Sequence, residues 1–408
     1  MVIIEALNAQ KGDCLLLRYT GSDGNEKLWL IDGGPKSRKV GGKSQTVWQD
    51  VLLPRLKELS PDGPATVHLG MVSHIDDDHI NGLQKITRKL VNAGPGDEKP
   101  VKFERFWFNS FPDIVGPAKP GAAPSAQPMA VAQEIAPELD GVDLPEDVEE
   151  LLHQGQAVVQ SVGQGNDLAA DLGSLQLGDN QPVGGLVSAR AGQGPFNILG
   201  AQVTVVGPRA NRLERLREAW REAVEEAEAK KRKAKLQELF LPSSKLDDSV
   251  PNLSSIVVLV DLGGKRLLLT GDALGDDIVS AWKELGLGDG PVALDVLKMP
   301  HHGSIRNCSK PFLELFEATH YIFSADGQHD NPDGPTVEAV VKMHGKRDIT
   351  LHFTNRDITW EKPHTTESGK PARTLDELIA QLRIDHPGRW QTNFRGPAAL
   401  GVTLTLVP

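Results

Sequence analysis

Cysteine is nearly missing from this chain, whose 408 residues include only two, Cys14 and Cys308, far apart and in unlike contexts. That excludes a disulfide framework and a cysteine-based zinc motif, so a bound metal must be held by histidine and carboxylate. Long apolar runs are absent too, and residues 1–6 pass straight into strand-like sequence with no basic-then-apolar leader. No membrane role is expected, and the expected location is the cytoplasm. Aromatic residues make up 5%, too few to announce a platform for stacked bases. Positive charge is also short: the formal net charge of -11 argues against a broad basic surface that coats nucleic acid. It leaves room for a nuclease, which can meet phosphates with metals and a few local cations. What is present is ordinary for a soluble globular protein, 39% hydrophobic and 24% charged residues. The length allows two or three domains, or one large α/β domain with insertions.

Residues 2–7, 14–19 and 28–31 are apolar and separated by turn residues, which predicts a meander of three strands. Asp32-Gly33-Gly34-Pro35 breaks it, and Val47, Val51, Leu52, Leu56 and Leu59 then fall at helical spacing over 46–59. A strand is predicted over 67–72 and a helix over 80–90. From about 110 to 195 the chain changes in kind. Tracts such as Gly116-Pro117-Ala118-Lys119-Pro120-Gly121 read as loop around one helix at 145–162, an insertion. Strand character returns over 196–206, and 209–239 predicts one long charged helix. Its Glu225-Glu226-Ala227-Glu228 precedes Lys230-Lys231-Arg232-Lys233, an order that favours a solvated helix over a nucleic-acid arm. Further strands are predicted over 255–262 and 266–270, joined at Gly263-Gly264, and over 294–299.

Three of these strands end in chemistry. The run Ser73-His74-Ile75-Asp76-Asp77-Asp78-His79 follows the strand at 67–72, Gly271-Asp272 follows that at 266–270, and Pro300-His301-His302-Gly303-Ser304 follows that at 294–299. Histidine with aspartate at this density is metal-ligand chemistry. Strand ends on one side of a sheet in a layered α/β fold converge on one cleft, so residues distant in sequence can meet there. His68, His344, His352, His364 and His386 lie in strand or polar contexts and read as structural or surface residues.

The ordered set Asp32-Gly33-Gly34, His74-Ile75-Asp76-Asp77-Asp78-His79, Thr270-Gly271-Asp272 and His301-His302-Gly303 resembles the metallo-β-lactamase fold. It is most similar to the metallo-hydrolase domain of ComEC-type DNA-uptake proteins, through Gly12-Asp13, Leu267-Leu268-Leu269 and Asp295-Val296-Leu297-Lys298 as well. The resemblance covers residues 1 to about 107 and about 196 to 345. It implies an α/β (α+β) fold, a four-layer αββα sandwich with metals at one edge. In domain terms it implies a single domain over 1–408 with insertions at about 108–195 and about 208–250.

The resemblance also implies two divalent metal ions. His74 and Asp76 would hold one, Asp78 and His79 the other, with Asp272 bridging and His301 completing the second site. The common motif of the family has histidine where this chain has Asp76. Another histidine usually precedes the strand at Ser255, and there Asn252 is the stand-in, as an oxygen ligand or as a hydrogen-bond partner of bound water. Oxygen in place of nitrogen brings manganese into competition with zinc.

The activity implied is that of a dinuclear hydrolase, a phosphodiesterase or nuclease in which a water activated between the metals attacks phosphorus in line. Asp78 would orient that water. Lys298 and His302 would be cations near the substrate phosphate or leaving group, although Lys298 could equally point away from the sheet. Within residues 324–333, His329, with Asn331 behind it, would contact a phosphate or protonate the leaving oxygen. The expected partner is nucleic acid as substrate. Free-standing relatives serve as defence effectors beside regulatory proteases, which adds a protein partner of that kind to the expectation. Two other classes stay open: a hydrolase of a cyclic nucleotide, other phosphoester, lactone or lactam, and a non-catalytic metal-binding module.

Overall fold

The structure, a computed structural model, describes residues 1–36, 38–40, 43–110, 164–210, 254–367 and 369–407, with the single positions 114 and 213. Fourteen strands of the described residues build two large sheets. In chain order they are β1 (Val2–Leu7), β2 (Leu15–Thr20), β3 (Glu26–Ile31), β4 (Leu69–Met71), β5 (Phe106–Trp107), β6 (Phe196–Ile198) and β7 (Ala201–Gly207). They continue with β8 (Val257–Leu262), β9 (Lys265–Leu269), β10 (Val292–Lys298), β11 (Phe316–Phe323), β12 (Ile349–Phe353), β13 (Trp390–Phe394) and β14 (Gly401–Leu406). The first sheet runs β14-β1-β2-β3-β4-β5 and the second β6 through β13 in sequence order. In both, an antiparallel part gives way to a parallel one, at β3 with β4 and at β9 with β10.

Six labelled helices flank the sheets: α1 (Leu53–Leu59), α2 (Asp77–Asn92), α3 (Gly275–Glu284), α4 (Lys310–Leu315), α5 (Gly334–His344) and α6 (Leu375–Asp385). Period-two alternation sorts the strand side chains. Leu267 and Leu269 join a cluster shared between the two sheets, with Ile4, Leu17, Trp29 and Met71 from the first sheet and Val205, Val258 and Val296 from the second. Leu268, between them, faces the other way, into a cluster with Trp282 of α3, Phe312 of α4, Val337 of α5 and Leu378 of α6. Leu16 and Leu30 face Leu56 of α1 and Ile80, Leu83 and Ile86 of α2. Each such side chain, fully buried, contributes about 1.5–3 kcal/mol of hydrophobic stabilisation. The described residues thus form a mixed α/β fold in which both sheets carry helices on the faces turned away from each other.

Several boundaries differ from the sequence reading. The single strand expected over 67–72 is two, because His68 changes partner: Ala65–Val67 pairs with Val101–Phe103, and β4 joins β3. At the break the His68 backbone and Nδ1 both bond to Leu28. The helix expected from residue 80 begins at Asp77, which places Asp78 and His79 in its first turn. The strand expected over 196–206 is a hairpin turning at Leu199-Gly200. The helix expected over 46–59 opens with a wider turn, Trp48–Leu52, before α1. The helix at 145–162, nearly all of that at 209–239, and Asn252 lie outside the described residues.

The described part of the first insertion packs onto the core. A helix over 164–174 adds Leu168 and Leu172 to the α2 side of the first sheet, and Asn180 brackets the Phe108 backbone through bonds of 2.8 and 3.0 Å. Among the described residues no helix is long and apolar enough to cross a membrane.

Candidate metal centre

Parallel strands bring the chemistry to one edge. Asp32 follows β3, Ser73 and His74 follow β4, Asp272 follows β9, and His301 and His302 follow β10. The loops are stitched across the two sheets, where Ile256 N donates to Ser73 O at 2.8 Å and the Ser324 hydroxyl to Gly12 O at 2.7 Å, and within the second sheet, where His301 N donates to Gly271 O at 3.1 Å. Gly12 lies so close to the first turn of α2 that a Cβ there would stand 1.9 Å from the Asp78 carbonyl oxygen. Only glycine lets the Asp13 loop approach that helix.

Adjacent side chains on a regular strand point to opposite faces. His301 and His302 escape this because both occupy left-handed backbone, at φ 45° and 57°. For residues other than glycine that conformation costs of order 1–3 kcal/mol each. The result is that both rings turn inward.

Four imidazoles converge on one oxygen. The Nε2 atoms of His79, His302, His301 and His74 stand 3.3, 3.4, 3.7 and 3.8 Å from Asp272 Oδ2. Three of the rings are aimed by a partner on the other nitrogen. His79 Nδ1 lies 2.9 Å from Asp32 Oδ2, His74 Nδ1 3.0 Å from Ser73 Oγ, and His301 Nδ1 3.0 Å from Asn307 Oδ1. Asp32 is itself held, accepting from the Ser73 amide at 2.7 Å and the Ser73 hydroxyl at 2.8 Å. Such outer hydrogen bonds fix ring orientation and turn Nε2 toward Asp272. His302 is turned differently, with Nδ1 3.4 Å from Asp13 Oδ1 and Nε2 3.5 Å from Asp78 Oδ2.

The electrostatics show what the pocket wants. Burial pushes the Asp13 carboxyl up, but Lys298 and then His302 outweigh it and hold it at about 2. Burial likewise opposes ionisation of Asp78 and Asp272, yet both stay below the ordinary carboxylate range, Asp78 through His302 and His79, Asp272 through His302, His79 and His301. His79 and His302 are driven well above the usual imidazole range against burial, by Asp272 first in each case. The carboxylates thus favour positive charge on the rings that face them.

A divalent ion would supply that charge, and the residues fit one. His74 Nε2, His79 Nε2, both nitrogens of His302 and Asp272 Oδ1 are buried with no hydrogen-bond partner. Buried polar atoms left unmatched cost about 1–3 kcal/mol each, which ligation removes. Asp13, His79, Asp272 and His302 offer ligand atoms all within 4.8 Å of one another. Imidazole nitrogen with carboxylate oxygen suits zinc or manganese.

Of the residues singled out in the sequence, His74, Asp76, Asp78, His79, Asp272, His301 and His302 meet at this edge. Asp76 is the residue before α2, its Oδ2 3.6 Å from His74 Nε2. Lys298 is fully buried and its ammonium is committed to an ion pair with Asp13 rather than facing outward. His329 lies exposed on a short turn, Gln328–Asp330, between β11 and α5. Its loop is pinned to the histidine turn by Asp333, which accepts from Ile305 N at 2.7 Å and donates its amide to Gly303 O at 3.2 Å. Asp13, Asp32, Ser73 and Asn307 are functional residues to which the sequence assigns no role. Gly12-Asp13 and Asp32-Gly33-Gly34 were visible as motifs; Asn307 carries no signal in the sequence.

The site is a buried histidine and carboxylate centre able to hold metal ions. No family model and no curated protein matches the chain. Among solved structures it is similar to "CmlA beta-hydroxylase E377D mutant", with 12% identity, a TM-score of 0.37, and coverage of 98% of this chain and 54% of that one. The chain thus spans about half the length of that structure, and so distant a likeness leaves function to the residues themselves.

Proposed function

We propose that this chain is a dinuclear metal-dependent hydrolase of the metallo-β-lactamase fold, nearest to the ComEC-type metallo-hydrolase domain, and that it cleaves phosphodiesters in DNA or RNA. The convergence of four imidazole nitrogens on Asp272 Oδ2 is the observation that carries the metal part of this reading. Helices outside two facing sheets support the four-layer sandwich. The order of motifs in the sequence supports the substrate.

In this reading two divalent ions, zinc or manganese, supply Lewis acidity, which acidifies water and neutralises charge building on the attacked phosphate. His74 and Asp76 would hold one ion, Asp78, His79 and a histidine of the 301–302 turn the other, and Asp272 would serve both. The centre is open on one side. Asp76, Asp78 and His301 keep 29, 20 and 26% of their side-chain surface exposed, whereas His79, Asp272 and His302 keep 3% or less. Substrate therefore meets Asp78, which would orient the attacking water. His329, on the loop pinned beside His301, donates to the leaving oxygen. Lys298 acts from below by holding Asp13. A defence role under control of a protein partner such as a protease belongs to the same proposal.

The test is hydrolysis of single-stranded DNA, duplex DNA, RNA and bis-p-nitrophenyl phosphate by full-length protein stripped and reloaded with zinc or manganese. Metal-dependent cleavage of a polymer supports the reading. Turnover of the small diester alone moves the substrate to a small molecule, and inactivity with both metals against all four sinks it.

A further inference from the structure

A second group of ligand-type side chains meets on the outer helices, at α5 and just past the end of α6. Glu338 belongs to α5, His364 to the strand Thr359–Thr365, Glu367 follows that strand, and His386 follows α6. Glu338, Glu367 and His386 each bring a ligand atom within 4.8 Å of the others. The two Glu338 oxygens are divided between two histidines. Oε2 is held by His364 Nε2 at 2.5 Å, and Oε1 faces His386 Nε2 at 3.7 Å. The second distance is too long for a hydrogen bond. His386 Nε2 is nonetheless buried and has no hydrogen-bond partner.

The three segments are held in place without a ligand. The Thr366 hydroxyl donates to Gln381 Oε1 of α6 at 3.1 Å, and Trp390 Nε1 donates to the His386 carbonyl at 2.9 Å. The side chains of Glu338, His364 and His386 are 14–16% exposed, so desolvation is largely complete before anything binds. Glu367 is half exposed and pairs with Lys342, also exposed, an ion pair that a divalent cation displaces with little loss.

We propose that this cluster is a further cation site, taking zinc or a similar divalent transition metal through Glu338, His386 and Glu367, with His364 positioning Glu338. Imidazole with carboxylates is a zinc-type donor set. A histidine bonded to the outer oxygen of a ligand carboxylate orients it as other outer-shell partners do. The site shares no residue with the Asp272 centre and stands whether or not the proposed activity is correct.

The experiment is equilibrium dialysis of stripped, full-length protein against micromolar zinc, counting zinc per chain, with the zinc-induced rise in melting temperature as a second readout. His386→Gln and Glu367→Gln should each hold one zinc fewer than the parent. His364→Gln should weaken that zinc by about 10–100-fold without removing a ligand. Glu367 is exposed, so its variant keeps the fold. Equal zinc counts in the parent, Glu367→Gln and His386→Gln overturn the proposal.

Discussion

The second sheet carries imidazoles in two settings, and they behave oppositely. At the end of β10, His302 faces Asp13, Asp78 and Asp272 and is driven above the usual imidazole range. In the middle of β11 and β12, His320 and His352 face each other, with His320 Nδ1 3.1 Å from His352 Nε2 and Asn393 donating to His352 Nδ1 at 3.1 Å. There burial, and then His320, push His352 down to about 3, and burial lowers His320 too. Both settings are desolvated, so burial does not explain the difference. Carboxylates do: where they surround a buried ring it becomes a place for positive charge, and where none touches it burial wins and the ring is held by neutral hydrogen bonds.

The sharpest way to break the contrast is to remove the central carboxylate. Asp272→Ala should lose the proposed metal and lower the proposed phosphodiester hydrolysis by more than about 100-fold, beyond the range of outer-shell changes; full metal content, read by elemental analysis, would contradict the centre. His329→Ala should lower turnover by about 100-fold with metal content unchanged, as for a lost proton donor. Loss of metal in that variant would show the residue to be misplaced. Asp32→Asn keeps the shape but weakens the hold on His79 and Ser73, and should weaken metal affinity by about 10–100-fold in a competition with a chromophoric chelator. The smallest effect tests the neutral pair. Unfolded His352 takes its proton near pH 6.5 and the folded residue near 3, so its stability is complete above 6.5 and is lost as pH falls toward 3. From pH 7 to 5 the loss approaches about 2 kcal/mol in urea unfolding, and His352→Gln should flatten that slope relative to the parent.

Much of the centre was legible because its residues sit just past apolar strands. His74, Asp76, Asp78, His79, Asp272, His301 and His302 are polar residues that interrupt hydrophobic runs, and strand ends gather on one edge. Asp13 and Asp32 were visible only as Gly-Asp and Asp-Gly turns, which are common and carry no direction. The separate orientations of His301 and His302 depend on two left-handed residues that no local pattern announces. Asn307 acts through a fold-back onto Asp272 O and His301 that is entirely tertiary. In the fold, period and turn residues marked the meander and the Gly263-Gly264 hairpin. They did not mark β14, whose partner lies at the other end of the sequence.

That partner gives the pairing a consequence in time. Val2 stands opposite Leu406, and six residues of β1 are in register with β14. During synthesis β1 emerges long before β14 and keeps that edge open until residues 401–406 leave the ribosome. Contacts this distant in sequence close slowly, because the loop entropy is lost before the pairing rewards it. The sheet that carries Asp32 and His74 is therefore sealed late, so a growing chain holds the centre's ligands well before it holds their finished frame.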